Sequence, residues 1–276
     1  MNAKFKKRRL DASEMDLRMI VDCHTHINCP SSEIDAAEHR EATRKVDTCI
    51  VLAVGRDNGL EASRELSEHT AKHPKLVGFA TLNPLRDRVD LNSVKAATRD
   101  LGLKGLVVYC SGGKFHPAHS KAMKLYEAAA ELRLPVFFHN SSSYNSDSIL
   151  QFAQPYLLDE VARQFPNLKI VIGGMGLPFL AQTICMLGKH ENVFADLSVS
   201  PHKRWELYNT VISVFEAGVM DKLLFGSGYP ICRPDNCIEA LLGFNMLMGD
   251  TNLPSVPREE IRNVVERDTL AVLGVD

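Results

Sequence analysis

The sequence has little of several features that would place it in a class at once. It has a single tryptophan in 276 residues, and aromatic side chains make up 7% of the chain. No run of about 18 apolar residues is present, and none follows the Arg8-Arg9 pair, which excludes an obvious membrane span or export signal. We therefore expect a soluble, cytoplasmic protein that does not act at a membrane.

Neither sign of charge predominates. The 32 Lys+Arg residues against 34 Asp+Glu leave a formal net charge of −2, which gives no general field to attract a polyanion. Nucleic acid is therefore not expected as a partner. Basic residues cluster only in a polar leader, residues 1–18, which lacks apolar periodicity and is predicted to be disordered or irregular.

Cysteines are present, but no C-x-x-C pair occurs. An odd count in a chain of this length is typical of reduced thiols in a cytoplasm, and it argues against a disulfide framework or a structural zinc knot. The seven residues are Cys23, Cys29, Cys49, Cys110, Cys185, Cys232 and Cys237.

From residue 19 onward, short apolar runs alternate with segments of helical period. Such alternation requires parallel strands joined by helical crossovers, and eight units close a barrel. We therefore predict an α/β fold, a single-domain (β/α)8 TIM barrel over residues 19–276. The predicted strands are 19–26, 48–55, 76–82, 103–110, 135–140, 168–174, 193–198 and 223–228. The predicted helices are 35–46, 60–73, 90–101, 120–133, 155–165, 178–190, 205–217 and 237–249.

Two helices show the local pattern clearly. In the fourth, apolar residues recur at spacings of three and four and predict one buried face, formed by Ala122, Leu125, Tyr126, Ala129 and Leu132. Beyond the eighth unit, residues 257–273 predict an extra C-terminal helix, with Pro257 suited to its first turn.

The chemically most informative segment is Asp22-Cys23-His24-Thr25-His26, at the end of the first apolar run. In a regular strand Asp22, His24 and His26 would face one side, and Cys23 and Thr25 the other. Working residues of such barrels lie at the carboxyl ends of the strands. A pair of imidazoles there predicts half of a metal site, although histidines that only bond to carbonyl groups would give the same pattern.

A third histidine, His139, ends the fifth predicted strand across the barrel from this pair. A triad of histidines can hold zinc with a fourth position open. Taken alone, His139 would be interpreted as a buried histidine that bonds to its neighbours.

These segments together resemble the amidohydrolase superfamily, and within it the amidohydrolase-related branch that is similar to aminocarboxymuconate semialdehyde decarboxylase. The resemblance covers almost the whole chain after the leader. It rests on Val21–His26, Leu134–His139, Phe165–Val171, Asn192–Ser198 and Leu224–Ser227.

The resemblance implies a divalent metal, usually zinc, and hydrolysis or non-oxidative decarboxylation of a small carboxylate-bearing molecule. His24, His26 and His139 match metal ligands of the family, and His139 is also a candidate catalytic residue. Two positions depart from the pattern: Gly174 stands where the family has a catalytic histidine after strand six, and Gly228 where it has a metal-binding aspartate after strand eight. Since glycine can neither bind metal nor transfer protons through a side chain, the site is predicted to be degenerate.

Other residues at the same end of the barrel are candidates to complete the site. Asp196 could replace the lost aspartate as a catalytic acid, although a cap or loop hydrogen bond is the alternative, and Asp22 could support His24 from behind. The amides of Gly173, Gly174 and Gly176 precede a helix predicted near Pro178 and could bind an anion. Arg56, Arg204 and Arg233 could pair with a substrate carboxylate, with Arg56, Gly174 and Arg233 as the predicted substrate-binding set.

Three functional hypotheses remain open from the sequence. The first is an amidohydrolase-type enzyme that uses a divalent metal, with zinc as the expected ion, and acts on a small-molecule substrate. The second is a catalytically impaired barrel that binds a small molecule or acts as a scaffold. The third is a metal-independent hydrolase or lyase with the histidines as acid and base. A homo-oligomer is compatible with each of them.

Overall fold

Eight parallel strands form the centre of the molecule. The computed structural model describes residues 19–54, 58–139, 146–198, 200–249 and 251–275. Neighbouring strands pair in sequence order, from the first to the eighth. The strands are β1 (Val21–Thr25), β2 (Thr48–Leu52), β3 (Leu76–Thr81), β4 (Gly105–Val108), β5 (Val136–Phe138), β6 (Ile170–Ile172), β7 (Val193–Asp196) and β8 (Leu223–Leu224).

Helices alternate with the strands, which confirms the predicted (β/α)8 TIM barrel. The predicted leader, residues 1–18, lies outside the described residues. The α-helices are α1 (Glu33–Ala42), α2 (Gly59–Thr70), α3 (Leu91–Ala97), α4 (Ser120–Glu131), α5 (Asp159–Gln164), α6 (Leu180–Lys189), α7 (Arg204–Glu216), α8 (Pro234–Leu242), α9 (Arg258–Val265) and α10 (Thr269–Leu273). Short 3-10 turns cover Arg99–Leu101, Leu150–Ala153, Pro155–Leu158, Gly173–Gly176, Met220–Lys222 and Phe244–Met248.

The barrel closes between β1 and the segment that follows β8. Backbone bonds of 2.9 Å run from Cys23 N to Phe225 O, from Gly228 N to His24 O and from His26 N to Tyr229 O. The N–H of Ser227 also donates to the buried Asp22 carboxylate. The predicted eighth strand, 223–228, is therefore regular only at Leu223–Leu224, because the residues after it bond to β1 in an irregular pattern.

Two apolar clusters account for the core. Alternate strand residues, among them Ile50, Phe79 and Phe137, fill the barrel interior, as the strand period of two requires. The opposite faces of the strands pack against the helices. On α4 the predicted buried face, Ala122, Leu125, Tyr126, Ala129 and Leu132, is confirmed.

The C-terminal segment forms two helices where one was predicted over 257–273. The first, α9, ends at Val265, and Asp268 begins α10 by accepting a hydrogen bond from the N–H of Ala271. An aspartate at this position favours a new helix start because its carboxylate satisfies a free N–H group. Residues of α10 and Val275 then join the apolar cluster of the barrel interior.

None of the helices in the described part of the chain is long and apolar enough to cross a bilayer.

Candidate metal centre

The first strand carries an irregularity at the position of its histidines. Asp22 pairs with Cys49 and Thr25 with Val51, so that three steps along β1 oppose two along β2. Cys23 consequently belongs to the barrel-interior cluster, while Cys49 and Val51 belong to the cluster beneath the helices. The prediction that Asp22 shares a face with His24 and His26 is therefore corrected, because a bulge breaks the alternation of a regular strand.

Three histidine rings converge at the carboxyl end of the barrel. One ring nitrogen from each of His24, His26 and His139 lies within 4.8 Å of the others. The Nε2 atoms of His26 and His139 are 3.1 Å apart. Two nitrogens on a tetrahedral ion with Zn–N bonds of 2.0–2.1 Å would stand about 3.3 Å apart, so the spacing suits a shared ion. The structure thus brings together all three predicted metal ligands.

The orientation of His26 is set by a backbone carbonyl. Its Nδ1 lies 3.0 Å from the carbonyl oxygen of Leu52, which can only accept, so Nδ1 carries the proton and Nε2 presents a lone pair. Burial, followed by the neighbouring His24, lowers the pKa of His26 to about 3. Burial and the other two histidines likewise lower the pKa of His139. Neutral imidazoles are the form in which histidine binds metal.

The orientation of His24 is set by Asp196, the last residue of β7. Its Nδ1 lies 3.2 Å from Asp196 Oδ1 and 3.1 Å from the Ser198 hydroxyl. Since a carboxylate accepts, Nδ1 is the protonated nitrogen and Nε2 is left for a ligand. Asp196 thus lies behind His24 and is not part of the three-residue cluster.

The remaining bonds of Asp196 hold its carboxylate in the ionised form. Oδ1 also accepts from the N–H of Ser198 at 3.0 Å and from the Ser198 hydroxyl, and Oδ2 accepts from the N–H of Gly174 at 2.6 Å. Burial alone would raise the pKa of this carboxyl, but His24, Ser198 and Gly174 keep it below its ordinary value. A buried negative charge therefore stands directly behind one predicted metal ligand.

Aromatic side chains hold the other faces of the rings. His24 packs edge-on against Phe137 with ring centroids 5.1 Å apart, and Tyr109 lies tilted against His139 at 4.7 Å. The Tyr109 hydroxyl donates to the carbonyl of Ala53 at 2.7 Å, which fixes the tyrosine ring. Packing of this kind limits the rotation of the histidine rings before any ligand binds.

Asp22 supports the backbone of the site and makes no bond to a histidine ring. Its Oδ1 accepts from the N–H groups of His24 and Ser227, at 3.1 and 2.9 Å. Its Oδ2 is buried and has no partner within the described residues. Burial raises the pKa of Asp22 to about 6, although the bonds from Ser227 and His24 oppose this rise.

Gly174 and Gly228 both adopt left-handed backbone conformations. Gly174 has φ +54° within a 3-10 turn, and Gly228 has φ +68°. A Cβ at Gly228 would meet Ser198 Cβ at 3.5 Å, which is ordinary contact, so space for a side chain remains there. Both positions border the cavity above the histidines.

The glycine turn does not present the amide of Gly174 to a ligand. The N–H of Gly174 already bonds to Asp196, and the following helix begins at Leu180, two residues after the predicted Pro178. The expected anion site is thus corrected in part, because a carboxylate of the chain itself takes this donor.

A cavity of about 390 Å³ opens above the three histidines. Its wall combines apolar side chains, including Leu177, Pro230 and Ile231, with the hydroxyl-bearing residues Ser198 and Ser227. Among the described residues that line it, Lys203 and Glu206 are the charged side chains other than histidine. Sequence reasoning missed both, although Lys203 lies in the loop after β7, where working residues are expected.

Two of the three predicted arginines, Arg204 and Arg233, do not line this cavity. Arg233 pairs with Asp235 at 3.3 Å and borders a separate depression beside Glu38 and Tyr229. Arg204 is the exposed first residue of α7 and is not among the residues of the cavity wall. Arg56 lies outside the described residues.

A model of the amidohydrolase family matches residues 21–259 of the chain. None of the curated proteins matches the sequence significantly. Many solved structures share the fold. The crystal structure of 2,6-dihydroxybenzoate decarboxylase from Rhizobium superposes with a TM-score of 0.67 at 15% identity, and the alignment covers 94% of this chain and 99% of that chain.

Two further structures extend this similarity. For 5-carboxyvanillate decarboxylase from Sphingomonas paucimobilis the TM-score is 0.64 at 12% identity, with 94% of this chain and 99% of that chain covered. Dihydroxybenzoic acid decarboxylase from a Polaromonas species, crystallised with manganese and 2-nitroresorcinol, gives 0.64 at 15% identity, with 93% and 97% covered. At these identities the likeness concerns the fold.

Proposed function

Because the chain belongs to the amidohydrolase family, we propose that it is a metal-dependent enzyme that hydrolyses or decarboxylates a small carboxylate-bearing molecule. The observation that carries this proposal is the convergence of three histidines whose ring nitrogens lie within 4.8 Å of one another. The similar folds of decarboxylases that act on hydroxybenzoates and carboxyvanillate support the same class of substrate.

The donor set suits a divalent ion. His24 and His26 have their Nδ1 atoms bonded to Asp196 and to the Leu52 carbonyl, which leaves a lone pair on each Nε2. A divalent ion held by His24, His26 and His139 would supply Lewis-acid chemistry at the base of the cavity. Zinc is the first candidate for such nitrogen ligands, and manganese is the second because a similar fold contains it.

The protein residues contribute orientation and exclusion of water. Asp196 holds His24, the Leu52 carbonyl holds His26, and Tyr109 packs on His139, so the rings need little reorganisation when a ligand arrives. Leu177, Pro230 and Ile231 provide apolar surface on which the carbon framework of a small acid can pack. Asp196, a catalytic candidate from the sequence, is in this proposal a positioning residue that orients His24.

The lowered pKa values of His26 and His139 disfavour either residue as the acid of the metal-independent alternative. In that mechanism one histidine must hold a proton to act as an acid near neutral pH. Burial lowers the pKa of His26 to about 3 and also that of His139, so both stay neutral under those conditions.

One observation favours a second function. Gly174 and Gly228 have no side chain to transfer protons, and both border the cavity. A barrel that binds a small acid without turning it over is therefore the alternative to an enzyme.

Metal content decides between a working centre and a degenerate one. Protein purified without chelator should hold about one zinc or manganese ion per chain by elemental analysis, and His24→Ala or His139→Ala should lose most of it. The control is His202→Ala, since His202 is exposed in the loop before α7 and should leave the content unchanged. Wild-type protein that stays metal-free after incubation with either ion would contradict the proposal.

An enzyme and a binding protein are then separated by turnover. Metal-loaded protein incubated with a panel of hydroxybenzoates and aromatic lactones should release carbon dioxide or open a lactone ring. Binding of a small acid without any product from the panel would favour the second function. Location in the cytoplasm stays a prediction from the cysteine pattern.

A further inference from the structure

Lys203 occupies a defined place on the wall of the histidine cavity. Its N–H donates to the carbonyl of Ser200 at 3.0 Å, and its own carbonyl accepts from the N–H of Leu207 at 3.0 Å. These bonds fix the backbone of Lys203 at the start of α7, a helix of 13 residues. The side chain is 54% exposed and extends to the carboxylate of Glu206.

Glu206 is the partner that Lys203 has in the structure. Its carboxylate lies 3.3 Å from the Lys203 ammonium, and the pair spans one turn of the helix. An exposed pair at this spacing contributes little to stability, so another anion can replace Glu206 at small cost. Glu206 is itself part of the cavity wall, and the exchange would therefore take place inside the site.

Lys203 provides the positive charge that an anion at this end of the cavity would need. Lys203 is the one lysine or arginine among the described residues that line it, and Arg233 is turned to a different depression. The rest of the described wall includes hydroxyl-bearing and apolar residues such as Ser200, Ile231 and Cys232, and Glu206 is its one carboxylate.

We propose that Lys203 is a specificity-determining residue that binds an anionic substituent of the ligand in competition with Glu206. This inference rests on the proposed function only in assuming that the other end of the ligand lies over the histidines. The ligand class that follows is a small molecule with two anionic groups, one toward His24, His26 and His139 and one at the cavity mouth. A molecule with a single carboxylate would use the histidine end and leave Lys203 paired to Glu206.

The test compares two rigid probes, benzoate and benzene-1,3-dicarboxylate, by titration calorimetry. Wild-type protein should bind the dicarboxylate more tightly than benzoate. Lys203→Met should weaken dicarboxylate binding about three- to tenfold and leave benzoate binding unchanged, as expected for one partly exposed ion pair. Lys203→Arg should retain most of the affinity because it keeps the positive charge.

Glu206→Gln should have the opposite effect on dicarboxylate affinity. Removing the competing carboxylate frees Lys203, so the dicarboxylate should bind more tightly than it does to wild-type protein, again by about three- to tenfold. Benzoate binding should not change. A loss that appears equally with both probes in Lys203→Met would show a general effect on the cavity and would overturn the proposal.

The titrations are run on zinc-loaded and on metal-free protein, which separates this inference from the proposed function. A wild-type protein that holds no metal contradicts the proposed function. In metal-free protein both probes can bind Lys203 through a carboxylate, so there the dicarboxylate affinity of Lys203→Met relative to wild-type protein decides the role of Lys203, and the comparison of the two probes is made on zinc-loaded protein. Dicarboxylate affinities within about twofold of each other in wild-type and Lys203→Met protein would overturn the inference. So would a wild-type protein that binds neither probe.

Discussion

Each of two histidines uses one nitrogen for the protein and keeps the other for a ligand. The Nδ1–H of His24 donates a hydrogen bond to a side chain, the carboxylate of Asp196. The Nδ1–H of His26 donates to a backbone group, the carbonyl of Leu52. The two arrangements orient the rings equally well, but only the carboxylate adds negative charge near a bound cation. Asp196 is the described carboxylate that bonds to a ring of the histidine cluster, so it supplies that charge.

Asp196→Asn should therefore weaken metal binding while leaving the three histidines in place. Partners that orient a ligating histidine typically contribute about 10- to 100-fold to metal affinity, and we expect a loss in that range. The measurement is competition with a chromophoric chelator. The control is Asp159→Asn, which removes a carboxylate that bonds to Lys189 and His190 and has no contact with the histidine cluster among the described bonds. Equal affinity in Asp196→Asn and wild-type protein would mean that the carboxylate has no part in holding the ion.

Gly228→Asp tests whether a carboxylate at this position adds a metal ligand to the three histidines. A Cβ at this position would lie 3.5 Å from Ser198 Cβ, which is an ordinary contact distance, so the side chain can be accommodated. The positive φ of +68° makes an L-residue unfavourable there by about 1–2 kcal/mol, which should lower the thermal midpoint. We expect metal affinity to rise because the new carboxylate adds a negative charge at the wall of a site whose predicted ligands are three imidazoles.

Gly228→Asn is the matched control for this substitution. It has the same shape and the same backbone strain but no charge, so its thermal midpoint should fall as in Gly228→Asp while its metal affinity stays near that of wild-type protein. A similar gain in both variants would contradict the charge argument.

At the scale of single elements, the bulge in β1 separates Asp22 from the face that carries the two histidines. A regular strand would carry residues 24 and 26 on one face with Asp22 beneath them. The extra residue instead turns Asp22 toward the cluster under the helices, where its carboxylate bonds the backbone of β1 and of the segment after β8. The histidine pair therefore depends on the closing contact of the barrel.

The contact between α5 and α6 gives a prediction about acid stability. Asp159, the first residue of α5, accepts from the side chains of Lys189 and His190 at the end of α6. Lys189 and then His190 lower the pKa of Asp159 from 3.8 to about 2. A carboxyl whose pKa is lowered on folding contributes stability that is present above its ordinary pKa and is lost as the pH falls toward the folded value.

Asp159→Asn should remove the part of the acid sensitivity that falls between pH 3.8 and about 2. Because the carboxylate is 31% exposed and its lysine partner 54% exposed, the effect at higher pH should be at most about 1 kcal/mol. The measurement is the free energy of unfolding in urea at several pH values, with Glu160→Gln on the same helical turn as control. Parallel curves for Asp159→Asn and wild-type protein would contradict it.

At the scale of the whole molecule, the architecture could be read from the sequence because it depends on local patterns. Strand runs such as 48–55 and the helical face of α4 are signalled by period and composition alone, and eight repeats of that alternation have few other ways to pack. The resemblance to a known family then placed the three histidines, which the structure brings together.

The details of the site depend on how loops run in space, and these could not be read from the sequence. Arg233 and Lys203 lie in loops at the same end of the barrel, yet only the lysine borders the cavity. Asp196 was expected near the metal, but whether it would bind from the front or stand behind His24 depends on the Gly174 turn and Ser198. Such relations between distant segments carry no periodic signal.

The closing contact of the barrel joins residues that are added to the chain early and late in its synthesis. Asp22 and Ser227 are separated by 205 positions, and the backbone of both strand-one histidines bonds to residues that follow β8. While the chain is still on the ribosome, His24 and His26 lack these hydrogen bonds until the eighth repeat has emerged. Assembly of the histidine cluster is therefore a late event of biogenesis, and an incomplete nascent chain has no fixed place to capture an ion.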